Sequence, residues 1–367
     1  MSGDRTQQLP ESELVGETIG GVMLEAVLSK TKQSLVLLGT QVGVDRPAVV
    51  KLFPKARSDT DADARLLKEA GALSQLRHAN IVTLYSVGIY DNDFPYLLME
   101  YVPGETLKST LGREGPLPPD RALGIVLQIV NALEEVHRLG MKHGNLGLHN
   151  ILLEELKGSN QDLVKLVDFG LVGTLGGTNL RMDDRPERVW YMTPEEGMGG
   201  RYTYQSELYV CGVVLYQLLT GYMPYRSQSL EGLWDEIVTA TPPAVAVIEP
   251  SLAIYPEVQD LLDRALAKQP KARPKGARAL RLMVTEVLGE IEARNEVMGQ
   301  ATGKTFPVIQ TVERVKALPR SRAMDEEDDK IPPPPISRPA RAASDVKTIP
   351  GYNKPVPPPP PSGPRDS

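Results

Sequence analysis

His143-Gly144-Asn145-Leu146-Gly147-Leu148-His149-Asn150 is followed, about one strand hairpin later, by Asp168-Phe169-Gly170. Asn145 stands at the centre of the first stretch. An amide accepts a hydrogen bond but cannot keep a proton near neutral pH, as a carboxylate base must. Working outward, two long strings lie upstream: Leu73-Ser74-Gln75-Leu76-Arg77-His78-Ala79-Asn80-Ile81-Val82 and Leu98-Met99-Glu100-Tyr101-Val102-Pro103-Gly104-Glu105-Thr106-Leu107. Downstream come Thr193-Pro194-Glu195 and Arg273-Pro274. That these strings occur together, in this order, makes chance a poor explanation.

The chain has 367 residues, 41% of them hydrophobic, enough for a two-lobed core with further segments. A formal net charge of -6 supplies no basic field for nucleic acid or an anionic membrane. The single cysteine, Cys211, excludes a disulfide within the chain and suits a reducing compartment. The N-terminus is polar, without an apolar signal region, and the apolar run Leu208 to Leu219 is too short for a bilayer. A cytoplasmic protein with no membrane span is therefore expected.

Residues 1–16 read as a polar leader. Val22–Leu28, Ser34–Leu38 and Ala48–Phe53 are β-rich runs between polar turns, and Ile81–Val87 and Tyr96–Tyr101 read as further strands. Asp61 to Arg77 has a helical period, with Leu66, Leu67, Ala70, Leu73 and Leu76 on one face. From Gly104 the pattern is helical: Asp120–Leu139 is amphipathic with Pro119 at its start, and Leu208–Thr220 is apolar all round, as a centrally buried helix requires. Val258–Ala267 and Ala277–Ala293 complete this part. Close to half of the 32 prolines lie in the last fifth of the chain, with tracts at Pro332–Pro335 and Pro357–Pro361 and an acidic cluster at Asp325–Asp329. Such a segment cannot bury enough apolar surface to offset its ordering entropy. It reads as a disordered tail, either solubilising or a polyproline II ligand.

Residues 18 to 295 resemble a protein kinase, closest in style to the eukaryotic-like Ser/Thr kinases of bacteria. The resemblance implies an α+β, bilobal fold: residues 17–298 form the kinase-like domain, with a β-rich N-lobe (17–103) and a helical C-lobe (104–298), followed by the tail 299–367. It implies that Lys51 contacts the nucleotide phosphates and pairs with Glu69; an ordinary lobe-stabilising pair is the alternative. By the same resemblance Val36 and Leu152 sandwich adenine, Met99 is the gatekeeper, and Glu100 and Val102 offer backbone hydrogen bonds to the base. Asn150 and Asp168 match the magnesium ligands. Leu73, Leu84, His143 and Phe169 match the spine of an assembled core, and Glu195 is expected to meet Arg273 in a buried salt bridge.

The departures from the family pattern share one functional class. In His-Arg-Asp-Leu-Lys-Pro-Glu-Asn the Asp takes the substrate proton and the Lys contacts the transferred phosphate; here these positions are Asn145 and Gly147. Losing a general base typically costs about 10²–10⁴ in rate. The threonine of the substrate-side segment aligns with Arg188, and the docking arginine of the loop is Gly144. The glycine-rich loop reads Ser29-Lys30-Thr31-Lys32-Gln33-Ser34-Leu35-Val36 and keeps none of its three glycines. Lys30 and Lys32 either supply charge there or form a solvated turn. Glu207 takes the place of the aspartate that anchors the catalytic loop. Asp183 and Asp184 are candidates for a displaced base. Some pseudokinase domains of animal tyrosine kinases also carry His-Gly-Asn, which implies nucleotide binding without turnover.

The sequence thus points to a catalytically impaired, kinase-like regulatory or scaffolding module. It would bind ATP weakly, with magnesium held by Asn150 and Asp168. Protein partners, an active kinase among them, would be met through the folded domain and the Pro-rich tail. The alternative is an active Ser/Thr protein kinase with an atypical site; a third reading is a structural module that binds no nucleotide.

Overall fold

Alternation of buried and exposed side chains builds the first lobe. In a computed structural model that describes residues 14–31, 34–53, 70–71, 73–91, 94–155, 162–169, 186–227 and 229–302, six antiparallel strands pair in the order β1-β2-β3-β4-β6-β5. They are β1 (Thr18–Ile19), β2 (Val22–Lys30), β3 (Leu35–Gln41), β4 (Arg46–Leu52), β5 (Leu84–Tyr90) and β6 (Phe94–Glu100). On β3, Leu35 and Leu37 are buried while Val36 and Leu38 are half-buried, the two-residue period of a one-sided sheet. β4 lies inside the sheet and is buried from Ala48 through Leu52. Leu14, ahead of the expected domain start at residue 17, is also buried against this lobe's core.

Glu69, Gly170, Asp183, Asp184, most of the helix expected over Asp61–Arg77 and the segment from residue 303 onward lie outside the described residues. One expected strand is displaced. Ile81–Val87 has the pattern of a strand, but the paired segment is Leu84–Tyr90. The backbone before it is used elsewhere: Leu166 donates to the Asn80 carbonyl at 2.8 Å, and Val82 donates to the Leu166 carbonyl at 3.0 Å. This short bridge stitches the first lobe to the second.

The second lobe is not helical from its start. β7 (Glu105–Thr106), β8 (Ile151–Glu155) and β9 (Asp162–Leu166) form a three-stranded sheet. β8 and β9 are the strand hairpin expected between Asn150 and Asp168; β7, two residues long, leaves too little pattern to be read from sequence. α1 (Leu107–Glu114) begins at Thr106, whose hydroxyl accepts the Ser109 N–H at 3.1 Å. α2 (Pro119–Arg138) follows the expected amphipathic stretch, with Leu123, Val126, Val130 and Leu133 on its buried face. α3 (Tyr204–Thr220) is buried along almost its whole length and ends at Gly221, whose φ of 76° is the left-handed conformation glycine adopts without Cβ strain. α4 (Leu230–Thr239), α5 (Pro256–Ala265) and α6 (Ala277–Thr302) complete the lobe. α6 lies along α2, where Arg281 Nε meets Glu134 Oε2 at 2.7 Å.

The expected buried ion pair is present. Arg273 donates to both carboxylate oxygens of Glu195, at 2.8 and 2.7 Å, and its side chain has no exposed surface. Ser206 Oγ donates to the same carboxylate at 2.5 Å. Burial alone would raise the Glu195 pKa, but the Arg273 and Ser206 hydrogen bonds outweigh it and hold the carboxyl below its ordinary range.

Candidate functional site

Lys51 reaches the cleft because β4 is a central strand. Cross-strand register sets it opposite Val36 on β3, so the two share one face of the sheet. Its ammonium forms an ion pair with Asp168 Oδ1. Asp168 follows β9 and has φ +60°, a left-handed conformation that aspartate tolerates better than most residues. Behind it, Phe169 is buried, and its ring centroid lies 4.5 Å from that of His143. Leu73 belongs to the same buried cluster and Leu84 packs against it. Leu73 and Phe169 thus share one apolar cluster, with Leu84 packed against it and His143 stacked on Phe169. His143 is fully buried, and the loss of hydration lowers its pKa although Glu207 and Asp168 act in the opposite sense.

Asn145 faces Asp168, and Asn150 holds Asn145. The Asn145 Nδ2 lies 3.4 Å from Asp168 Oδ2 and 3.5 Å from the Asp168 carbonyl. The Asn145 backbone N–H donates to His143 Nδ1 at 3.3 Å, and Asn150 Nδ2 donates to the Asn145 carbonyl at 2.7 Å. Asn150 also holds the following strand pair, through its carbonyl to the Val167 N–H at 3.0 Å.

Gly147 is roofed by an aromatic ring. A Cβ built there would lie 2.9 Å from Tyr191 Cε2 and 3.0 Å from His149 Cε1, inside normal contact distance. The Tyr191 hydroxyl is fixed from two sides: it accepts the Leu148 N–H at 3.2 Å and donates to Gln217 Oε1 at 3.0 Å. Arg188, at the position of the expected threonine, donates to Glu196 Oε1 at 2.9 Å. Glu196 also accepts the Thr193 N–H, at 3.1 Å.

The loop is anchored from beneath by Glu207, which is fully buried. One oxygen accepts the Gly144 N–H at 2.7 Å and the other meets His137 Nε2 at 2.6 Å. Gly144 itself has φ +72°, which favours glycine. Sequence reading named Glu207 but gave His137 no role. α2 and α3, which carry the two residues, are far apart in sequence, and no local pattern links them.

At the lobe junction, Met99 is half-buried, on β6 opposite Val49. The Glu100 side chain is committed to Lys165 on β9, with Nζ–oxygen distances of 2.9 and 3.2 Å, and accepts the Thr83 N–H at 3.0 Å. Burial would raise the Glu100 pKa; these hydrogen bonds prevail and lower it. Lys165 was not singled out in the sequence, since a lone lysine in a short strand carries no signal. Val102 is buried and its carbonyl accepts the Gly104 N–H at 3.0 Å. Leu152 is half-buried on β8, opposite Lys165.

The hairpin that replaces the glycine-rich loop closes on itself. Thr31 N–H donates to the Ser34 carbonyl at 2.9 Å, and Ser34 N–H donates to Thr31 Oγ1 at 3.0 Å. Two backbone donors flanking the turn are thus used internally, whereas a phosphate cradle presents its amides to the ligand.

Among the described residues no helix is long and apolar enough to cross a membrane. The protein kinase domain family matches residues 26–284. Serine/threonine-protein kinase pkn3 of Myxococcus xanthus is 30% identical over 356 residues, which cover 94% of this chain and 63% of the relative. Serine/threonine-protein kinase PrkC of Bacillus subtilis is 31% identical over 310 residues, 83% of this chain and 45% of the relative. The chain therefore spans less than two thirds of either relative's length. Among solved structures, the PknI kinase domain of Mycobacterium tuberculosis is similar with a TM-score of 0.58 and 22% identity, covering 74% of this chain and 98% of that one. Rad53 1–466 in complex with AMP-PNP has a TM-score of 0.59 and 23% identity, covering 71% of this chain and 64% of its own. With its β-sheet N-lobe, its helical C-lobe and a family match over most of its length, this chain belongs to the protein kinase family.

Proposed function

We propose that this chain is a catalytically impaired kinase, a pseudokinase that works as a cytoplasmic regulatory or scaffolding module. The observation that carries the reading is Asn145: an amide occupies the base position and its Nδ2 lies nearest the Asp168 carboxylate. No proton acceptor is supplied there. Gly147 lacks the phosphate-contacting cation, and Arg188 is engaged with Glu196. Phosphoryl transfer depends on positioning and charge stabilisation, so losing these groups together removes most of what the fold contributes.

ATP is the proposed ligand, held weakly. Lys51 supplies the cation, Val36, Leu152 and Met99 the apolar walls, and Glu100 and Val102 the backbone groups for the base; Glu69 is the expected partner of Lys51. With a self-closed hairpin in place of a cradle, micromolar to millimolar affinity, on the order of -4 to -8 kcal/mol, fits this set. Protein partners, an active kinase among them, are proposed to dock on the folded domain and on the proline tracts.

The second reading, an active Ser/Thr kinase with an atypical site, is favoured by one observation: the Lys51–Asp168 pair and the His143–Phe169 stack keep an assembled core. Radiolabel transfer from ATP decides between them. No incorporation into the protein or a generic acceptor is expected. Incorporation that disappears in the Asp168→Ala variant establishes the active kinase.

A further inference from the structure

The Asp168 carboxylate is countered by the protein's own donors. Oδ1 pairs with the Lys51 ammonium. Oδ2 and the Asp168 carbonyl face the Asn145 N–H groups at 3.4 and 3.5 Å. The amide orientation follows from chemistry: turned over, the Asn145 oxygen would oppose the carboxylate. The second candidate ligand, Asn150, has its Nδ2 committed to the Asn145 carbonyl, which fixes that side chain against the loop. Magnesium asks for a near-octahedral shell of oxygens and favours carboxylates. A divalent ion approaching Asp168 meets an ammonium on one side and N–H dipoles on the other.

An aspartate at position 145 would change this balance. Its carboxylate would stand about where the amide now donates, and two like charges so close need a cation between them. Asparagine removes that demand and also takes one negative charge away from where nucleotide phosphates would lie. We infer that this site takes no magnesium ion, and that nucleotide binds here independently of divalent cations. This departs from the expectation that Asn150 and Asp168 hold magnesium. Its nucleotide part rests on the ATP reading above, while its cation part stands without it.

The test uses the full-length protein and its Asn145→Asp variant. Melting temperature is measured in EDTA, in millimolar Mg²⁺ at matched ionic strength, and in each medium with ATP. For the wild type, Mg²⁺ alone is expected to shift nothing, and ATP to raise the midpoint equally with Mg²⁺ and with EDTA. Asn145→Asp is expected to melt lower in EDTA and to recover when Mg²⁺ is added. A wild-type ATP shift that needs Mg²⁺ overturns the inference and leaves nucleotide binding intact. An absent ATP shift in every medium overturns nucleotide binding; the Mg²⁺-only arms then decide the cation question. An Asn145→Asp variant indifferent to Mg²⁺ overturns the role given to Asn145. Should that variant fail to fold, Lys51→Met measured with Mg²⁺ alone replaces it. It removes the ammonium from Asp168 and is expected to gain a cation response; no gain overturns the blocking role given to Lys51, and a wild-type response to Mg²⁺ alone overturns the inference itself.

Discussion

Glu207, fully buried at the start of α3, accepts the backbone N–H of Gly144 at 2.7 Å while its other oxygen holds His137 at 2.6 Å. One side chain thus ties the degenerate loop to both α2 and α3. Glu207→Ala leaves two half-buried groups, the Gly144 N–H and His137 Nε2, without their partner, and a loss of about 1–3 kcal/mol is expected. Chemical denaturation of Glu207→Ala, His137→Phe and the double variant checks it. The single losses should be clearly non-additive, since both remove one network.

Gly147 is expected to resist restoration of the family lysine. Any Cβ there meets the Tyr191 ring, and that ring is held by Leu148 and Gln217. Gly147→Lys should destabilise the fold by about 1–3 kcal/mol through overpacking. The paired substitution Asn145→Asp with Gly147→Lys should remain inactive in radiolabel assays, because Arg188 stays bound to Glu196. A fully stable Gly147→Lys protein by denaturant titration would show that the ring moves freely.

Arg273→Met is expected to be among the most damaging single changes in the second lobe. It strands the buried Glu195 carboxylate, a loss of about 3–5 kcal/mol. Glu195→Gln should cost less, since the amide oxygen still accepts one guanidinium N–H and no uncompensated carboxylate remains. The difference between the two midpoints in urea tests the assignment.

Stability should fall on the acid side in two stages. His143 has its folded pKa lowered by burial, so below about pH 6.5 the unfolded chain takes up a proton that the folded one refuses. Stability is therefore lost as pH drops through that range. Glu100 and Glu195 also have lowered folded values, so their contribution is present above about pH 4.3 and lost as pH falls through the folded pKa. Unfolding free energy against pH for wild type and His143→Phe measures the first stage. The variant should be flatter between about pH 7 and 5, with the ring stack on Phe169 kept.

Much of this architecture is legible in the chain itself. The two-residue alternation of β3 and the all-round apolar face of α3 follow from local periods, and Glu195–Arg273 from a family pairing. The strand expected at Ile81 is displaced because Asn80 and Val82 spend backbone groups on Leu166, a partner remote in sequence. The β8–β9 hairpin is legible between Asn150 and Asp168, whereas β7 is not, since two residues carry no period.

Residue identity alone sets which chemical groups stand at the site: an amide for a base at Asn145, no side chain at Gly147, a hairpin without glycines. Covalent identity is local, and no fold restores a missing carboxylate. What the remaining groups do depends on three-dimensional packing. Lys51 meets Asp168 across 117 residues of chain, Glu100 is committed to Lys165, and Tyr191 fills the place a lysine side chain would take. Such pairings depend on how strands and helices from both lobes pack together, and packing distance is not written in sequence distance.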